Sequence, residues 1–192
     1  MKMTRIEMRE KLRERLTDKR YEHSLGVEYT AAALAMAHGM DIEQAAVAGL
    51  LHDCAKCYST EEKIEKCNKY GLPISDFERQ NPELLHAKLG AAIAKDKFKI
   101  RDHEILSAIT WHTTGCPNMS DLDKIIYIAD FIEPNRKELP EMDEIRREAF
   151  MDLDQCLIHI LSNILDYLKR KGRKIDPITE ETYEFYVGNY HS

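Results

Sequence analysis

Apolar residues recur at helical spacing along nearly the whole chain, and polar caps and glycines divide the pattern into segments. Thr4-x-x-Glu7 has the form of a capping box, with apolar positions at Ile6, Leu12 and Leu16. A second helix is expected from about Asp18 to His38, with Gly39 just beyond its end. Asp41-x-x-Gln44 opens a third, rich in Ala and Leu, through about Ala55. Ser59-x-x-Glu62 opens a fourth, which Gly71 closes. Asn81-Pro82 has the form of a cap followed by a first-turn proline, starting a helix that runs to about Phe98. The next spans Asp102 to Thr114 and is broken by Gly115-Cys116-Pro117. Ser120-x-x-Asp123 starts another, which stops before Pro134. Two more fit roughly 141–151 and 152–171, with Gly172 as the stop, and Thr179 to Val187 forms a last short helix. No strand pair with hairpin chemistry interrupts the series. The pattern predicts an all-α fold.

Composition narrows the picture. A chain of 192 residues has the length of one domain, and 43% hydrophobic content supplies a core, which excludes global disorder. The expected organisation is an N-terminal helix (1–17) packed on a bundle, a bundle core (18–137), and C-terminal helices with a tail (138–192), all in the same domain. A formal net charge of −6 argues against a general nucleic-acid binder. No apolar run is long enough to span a bilayer, so no membrane partner is expected. Met1 to Glu7 lacks the apolar stretch of a secretory signal, and five cysteines cannot all pair internally. These features point to free thiols and the cytoplasm. Apolar surface on a helical bundle makes a homodimer a further expectation. The basic run Lys169 to Lys174 suits either a solvated helix end or a phosphate contact.

The chemistry lies in a His/Asp series: His23, the adjacent pair His52-Asp53, His86, His112 and Asp130. Most of these positions sit in predicted helices among apolar neighbours. A lone histidine there is more often a hydrogen-bonded core residue. Polar groups on several separate segments, all directed inward, instead point to a shared polar centre, because each would be costly to bury alone. Mixed imidazole and carboxylate donors suit Fe(II), Mn(II), Zn(II) or Co(II), and argue against an all-oxygen Mg or Ca cage.

This ordered set resembles the H…HD…H…H…D signature of the HD-domain metallohydrolases. The stretches Tyr21-x-His23-Ser24-x-Gly26-Val27, Gly49-Leu50-Leu51-His52-Asp53-Cys54-Ala55-Lys56, Leu85-His86-Ala87, Trp111-His112-Thr113-Thr114-Gly115 and Ile128-Ala129-Asp130-x-Ile132-Glu133-Pro134-x-Arg136 are closer still to its YqeK-type branch of bacterial diadenosine tetraphosphate hydrolases. The resemblance is strong over about 20 to 136 and weaker beyond. It implies an HD-domain helical bundle holding a metal, typically iron, with Mn, Co or Zn as substitutes. His23, His52, Asp53 and Asp130 would be the ligands, with His23 and Asp130 also bordering the substrate. His86 and His112 would face the substrate phosphates or hold a second metal. Thr113 and Arg136 would contact phosphate, the latter as a bidentate cation. The stretch Arg173, Lys174, Ile175, Asp176, Pro177, Ile178, and then Tyr183, would close over the nucleotide. Relatives are expected to carry His where this chain has Asp176, and an acid beside a polyphosphate is unfavourable unless it is turned away.

The activity implied is symmetrical cleavage of diadenosine tetraphosphate to two ADP. In such a site the metal acidifies a bound water, and the hydroxide attacks phosphorus in line. His86, His112, Asp53 and Lys56 are the expected catalytic groups, with His112 as proton donor and Lys56 balancing carboxylate charge. The alternatives are another HD nucleotide phosphohydrolase (a nucleoside 5′-monophosphatase or an alarmone hydrolase) and a silent nucleotide-binding signalling module. Other motifs have plainer readings. Cys54-x-x-Cys57 lacks a partner pair, Trp111 is expected in the core, and His38, His103 and His191 are expected at the surface. His159 is expected to be packed or partly exposed.

Overall fold

The computed structural model describes residues 3–137 and 139–190; His191 lies outside them. The described residues form eleven α-helices and no strand. They are α1 (Arg5–Arg13), α2 (Asp18–Ala37), α3 (Ile42–Leu51), α4 (Thr60–Lys69), α5 (Asp76–Gln80), α6 (Leu85–Lys97), α7 (His103–Trp111), α8 (Asp121–Ile132), α9 (Met142–Ala149), α10 (Leu153–Arg170) and α11 (Pro177–Asn189). The all-α expectation holds.

Local chemistry sets most of the starts. Thr4, Ser59 and Ser120 form reciprocal capping boxes with Glu7, Glu62 and Asp123, satisfying donors that a helix start leaves open. Gly39, Gly71, Gly115 and Gly172 all adopt positive φ where the preceding helices stop.

Five expectations need correction. The helix expected to run to Thr114 ends at Trp111. The third helix ends at Leu51, not near Ala55, and turns follow through Cys57. His52 and Asp53 therefore lie just beyond a helix, where a polar side chain can reach carbonyls that the ending helix leaves free. Asn81 makes no side-chain cap; Pro82–Leu84 is a 3₁₀ turn and α6 begins at Leu85. The short helix α5, with a Ser75/Glu78 capping box, was not foreseen because five residues carry too little periodicity. Finally, α11 starts at Pro177, with Asp176 as its cap.

The core is one cluster. Val27 and Leu34 of α2, Leu50 of α3, Leu89 of α6, Ile109 of α7, Ile125 and Ile128 of α8, and Leu157 of α10 are fully buried in it. Helix α3 packs against α2, α7 and α8, and α8 also meets α2 and α10. The α2–α3 approach is close enough that a Cβ at Gly49 would lie 2.9 Å from the Val27 carbonyl oxygen. This packing brings α2, the end of α3, the start of α6, the end of α7 and the last turns of α8 to one place. No described helix is long and apolar enough to cross a membrane.

Candidate metal centre

The six signature residues come together. His23 of α2, His52 and Asp53 after α3, His86 of α6 and His112 after α7 are each at most 7% exposed. The Asp130 side chain on α8 is 21% exposed, so the centre keeps one open flank. Two overlapping triads, His23–His52–Asp130 and His52–Asp53–His112, each hold their donor atoms within 4.8 Å of one another.

The orientation of the imidazoles has a local cause. His52 Nδ1 donates to the Gly49 carbonyl at 2.7 Å, His112 Nδ1 to the Ile109 carbonyl at 2.7 Å, and His86 Nδ1 to the Glu83 carbonyl. Each carbonyl lies three residues earlier, at a helix end or in the 3₁₀ turn, where the backbone has acceptors to spare. His23 Nδ1 donates instead to Glu133 Oε1 at 2.9 Å. All four rings thus spend Nδ1–H outside the centre and present a bare Nε2 to it, the pattern that orients metal-bound histidines.

The inward faces do not satisfy one another. His23 Nε2 stands 2.9 Å from Asp130 Oδ1 and 3.9 Å from Asp53 Oδ2. His86 Nε2 stands 3.0 Å from His112 Nε2 and 3.3 Å from Asp53 Oδ1. The Thr113 hydroxyl lies 3.2 and 3.1 Å from those two nitrogens but has a single proton to give. His52 Nε2 is wholly buried with no hydrogen-bond partner. Lone pairs facing lone pairs in a buried site are relieved by a cation among them, a proton or a metal ion. The residues fit a divalent metal of the borderline kind.

The charges respond accordingly. Burial alone would raise Asp53, but His52 and His112, with Lys56 nearby, outweigh it and hold the carboxyl well below its usual range. Burial likewise opposes ionisation of Asp130, yet His23, His52 and Arg136 hold it well below its usual range. Burial and the neighbouring His112 push His86 well below an ordinary histidine, so it stays neutral. Burial outweighs Asp53 at Lys56 and lowers it, while its Nζ stands 4.0 Å from Asp53 Oδ1.

Two participants were not assigned roles from sequence. Glu133 is 1% exposed and orients His23; its position three residues after Asp130, at the end of an apolar helix, was the available signal. Arg20 donates to Asp53 Oδ2 at 3.1 Å, a pairing across 33 positions that periodicity does not reveal. Arg136 pairs with the Asp130 carboxylate and donates through Nε to the Asp130 carbonyl at 2.7 Å.

The C-terminal stretch is placed differently. Among the described residues no hydrogen bond or ion pair joins 173–178 to the centre. Arg173 and Lys174 are exposed, and Lys174 Nζ donates to Gln80 Oε1 at 3.0 Å. Asp176 accepts from the Ile178 N–H at 3.1 Å as the cap of α11, which turns this acid toward the helix start. Ile175 and Ile178 are half-buried, Pro177 is the first residue of α11, and Tyr183 is half-buried against the core. Of the remaining motifs, Cys54 is buried and Cys57 exposed, both free. Trp111 is half-buried rather than in the core. His38 is not a free surface cation: its Nε2 lies 2.8 Å from the Ala149 carbonyl.

Residues 20–135 match the HD domain model, and the chain belongs to the HD-domain family. Its similarity to particular members runs the full length. It is 39% identical, over 96% of this chain and 98% of the relative, to a Bacillus subtilis protein named bis(5′-nucleosyl)-tetraphosphatase, symmetrical. A Staphylococcus aureus protein of the same name is 35% identical over 91% of this chain and 90% of its own. The crystal structure of a Clostridium acetobutylicum protein, described as a predicted HD superfamily hydrolase involved in NAD metabolism, superposes with a TM-score of 0.94. It is 40% identical and covers 98% of this chain and 99% of that one.

Proposed function

We propose that the protein is a metal-dependent hydrolase that cleaves diadenosine tetraphosphate symmetrically to two ADP. The observation that carries this reading is the convergence of four inward-facing imidazole nitrogens and two carboxylates on one partly open, buried centre. Full-length similarity to proteins named for that reaction supports the choice of substrate.

His23, His52, Asp53 and Asp130 would hold the metal, with iron first and Mn, Co or Zn as substitutes; His86 and His112 would take a second ion or the phosphates. Bound there, a divalent metal supplies an acidified water and polarises a phosphate oxygen. The protein's own groups do the rest. Arg20 and Lys56 offset the Asp53 charge. Thr113 and Arg136 border the open flank beside Asp130, where they bind and orient the phosphate chain. Water oxygen bonds to the phosphorus next to the central bridge. The bond from that phosphorus to the bridging oxygen breaks, and the oxygen leaves with the second ADP. His112, its ring fixed by the Ile109 carbonyl, presents Nε2 to take a proton from the attacking water and pass it to the departing oxygen, with His86 beside it. Arg173, Lys174, Ile175, Asp176, Pro177 and Ile178, with Tyr183, would enclose one nucleoside, and the enzyme would work in the cytoplasm.

The test is product analysis by anion-exchange chromatography. Protein purified without oxygen and reloaded with Fe(II) or Mn(II) is offered diadenosine tetraphosphate, nucleoside monophosphates and guanosine tetraphosphate. Chelator-treated protein and His52→Ala serve as controls. ADP as sole product, lost in both controls, is the expected result. ATP plus AMP would refute the cleavage position, and phosphate released from monophosphates alone would make the protein a nucleotidase.

A further inference from the structure

Beside the centre lies a cavity that begins at the proposed phosphate contacts Thr113 and Arg136 and extends beyond them. It measures about 320 Å³ and has His112, Thr113 and Asp130 on one side, with apolar Phe131, Met142 and Ile164 on the other. Tyr127 lines it too; this residue is 3% exposed, and its hydroxyl is buried without a hydrogen-bond partner. A buried hydroxyl left unpaired is costly, so its place marks where a polar atom of a ligand belongs. Burial keeps the phenol protonated, so it can donate as well as accept.

The cavity does not end there. Phe131, Lys137, Leu139 and Ile164 also line a second space of about 940 Å³, which runs between Pro140 and the Tyr167 face of α10. Tyr167 is 47% exposed and lines this groove. Both volumes fall within or near the range typical of small-molecule sites. Phe131, Leu139, Pro140, Ile164 and Tyr167 supply its aromatic and aliphatic surface, and Asn163 adds an amide. Along the groove Glu141 and Asp166 stand against Lys137, Lys169 and Arg170, which leaves little net positive charge to draw more phosphate. Such a surface suits a flat, neutral, heteroaromatic group with a few polar edges, reached directly from the phosphates at the centre.

A dinucleoside polyphosphate has two nucleosides, and the stretch 173–178 proposed above would enclose only one. We infer that the cavity and its groove form the subsite for the second nucleoside. The Tyr127 hydroxyl bonds a polar atom of its sugar or base, and Tyr167 and Phe131 flank the base. This inference rests on the function proposed above.

Steady-state kinetics on the metal-loaded enzyme test it with two ligands. Diadenosine tetraphosphate is the substrate, and adenosine 5′-tetraphosphate, with the same phosphates but one nucleoside, is the competitor. Loss of a stacking aromatic is expected to raise KM for the dinucleotide about tenfold in Tyr167→Ala, with kcat changed less than about twofold. Tyr167→Phe restores it. Tyr127→Phe, which removes only the hydroxyl, raises KM in the same way. In each variant the inhibition constant of the single-nucleoside competitor stays within about twofold of wild type. If KM and the inhibition constant rise together, the groove holds the first nucleoside and the assignment is overturned. If neither rises, the groove holds no nucleoside. A wild-type enzyme inert toward the dinucleotide overturns the functional reading itself, and this assignment with it.

Discussion

Glu133→Gln removes one formal charge from beneath the centre and little volume. The carboxylate is 1% exposed and uses both oxygens: Oε1 accepts from His23 Nδ1 at 2.9 Å, and Oε2 accepts from the Asn135 N–H at 2.6 Å. A glutamine has one acceptor oxygen and one donor group, so it can serve only one of these partners. With its oxygen kept on Asn135, its NH₂ faces His23 and favours the tautomer that carries its proton on Nε2, which cannot ligate. With its oxygen turned to His23, the new NH₂ group and the Asn135 N–H oppose each other, donor against donor. Either outcome disturbs the ring that stands 2.9 Å from Asp130 Oδ1. Loss of such a partner behind a metal ligand costs about 10–100-fold in affinity, or about 1.4–2.8 kcal/mol. Competition for Mn(II) against a chelating dye measures it, with circular dichroism confirming the fold. Gly26→Ala should act in the same direction, because its Cβ would run into Glu133 Oε2. An unchanged Mn(II) affinity in folded Glu133→Gln protein would refute the argument that this carboxylate sets the His23 tautomer.

Other expectations follow from the same geometry. Stripping the metal with a chelator should lower Tm by several degrees, because lone pairs within the centre are then left opposed, and Mn(II) should restore it; a Tm indifferent to both would count against a metal centre. Gly49→Ala should destabilise by about 1–3 kcal/mol, read as a fall of about 2–4 °C per kcal/mol in a thermal melt, since backbone of α2 blocks the new Cβ. Burial alone would lower His159, but Glu148 and Glu141 outweigh it and raise its pKa above the ordinary 6.5. Its pairing therefore stabilises the fold fully below about pH 6.5 and is lost as pH rises through the raised value. The Tm gap between wild type and His159→Gln should be largest near about pH 6 and shrink as pH rises through the raised value; a gap independent of pH would contradict this.

Much of the molecule was legible along the chain because the forces concerned are local. Thr4, Ser59 and Ser120 each sit three residues before the carboxylate that completes their cap, and helix-ending glycines need positive φ wherever the chain then goes. The inward histidines and acids stood out because charge in an apolar segment demands a partner. What tertiary structure decided depended on distance along the chain. Glu133 reaches His23 across 110 positions and Arg20 reaches Asp53 across 33, and neither pairing leaves a periodic trace. Only packing showed that α3 stops before His52, so that the ring turns back to Gly49 and leaves its other nitrogen bare. Asp176 looked unfavourable beside phosphate when judged by charge alone. In the fold it caps α11, because a helix start holds unpaired N–H groups that an acid satisfies.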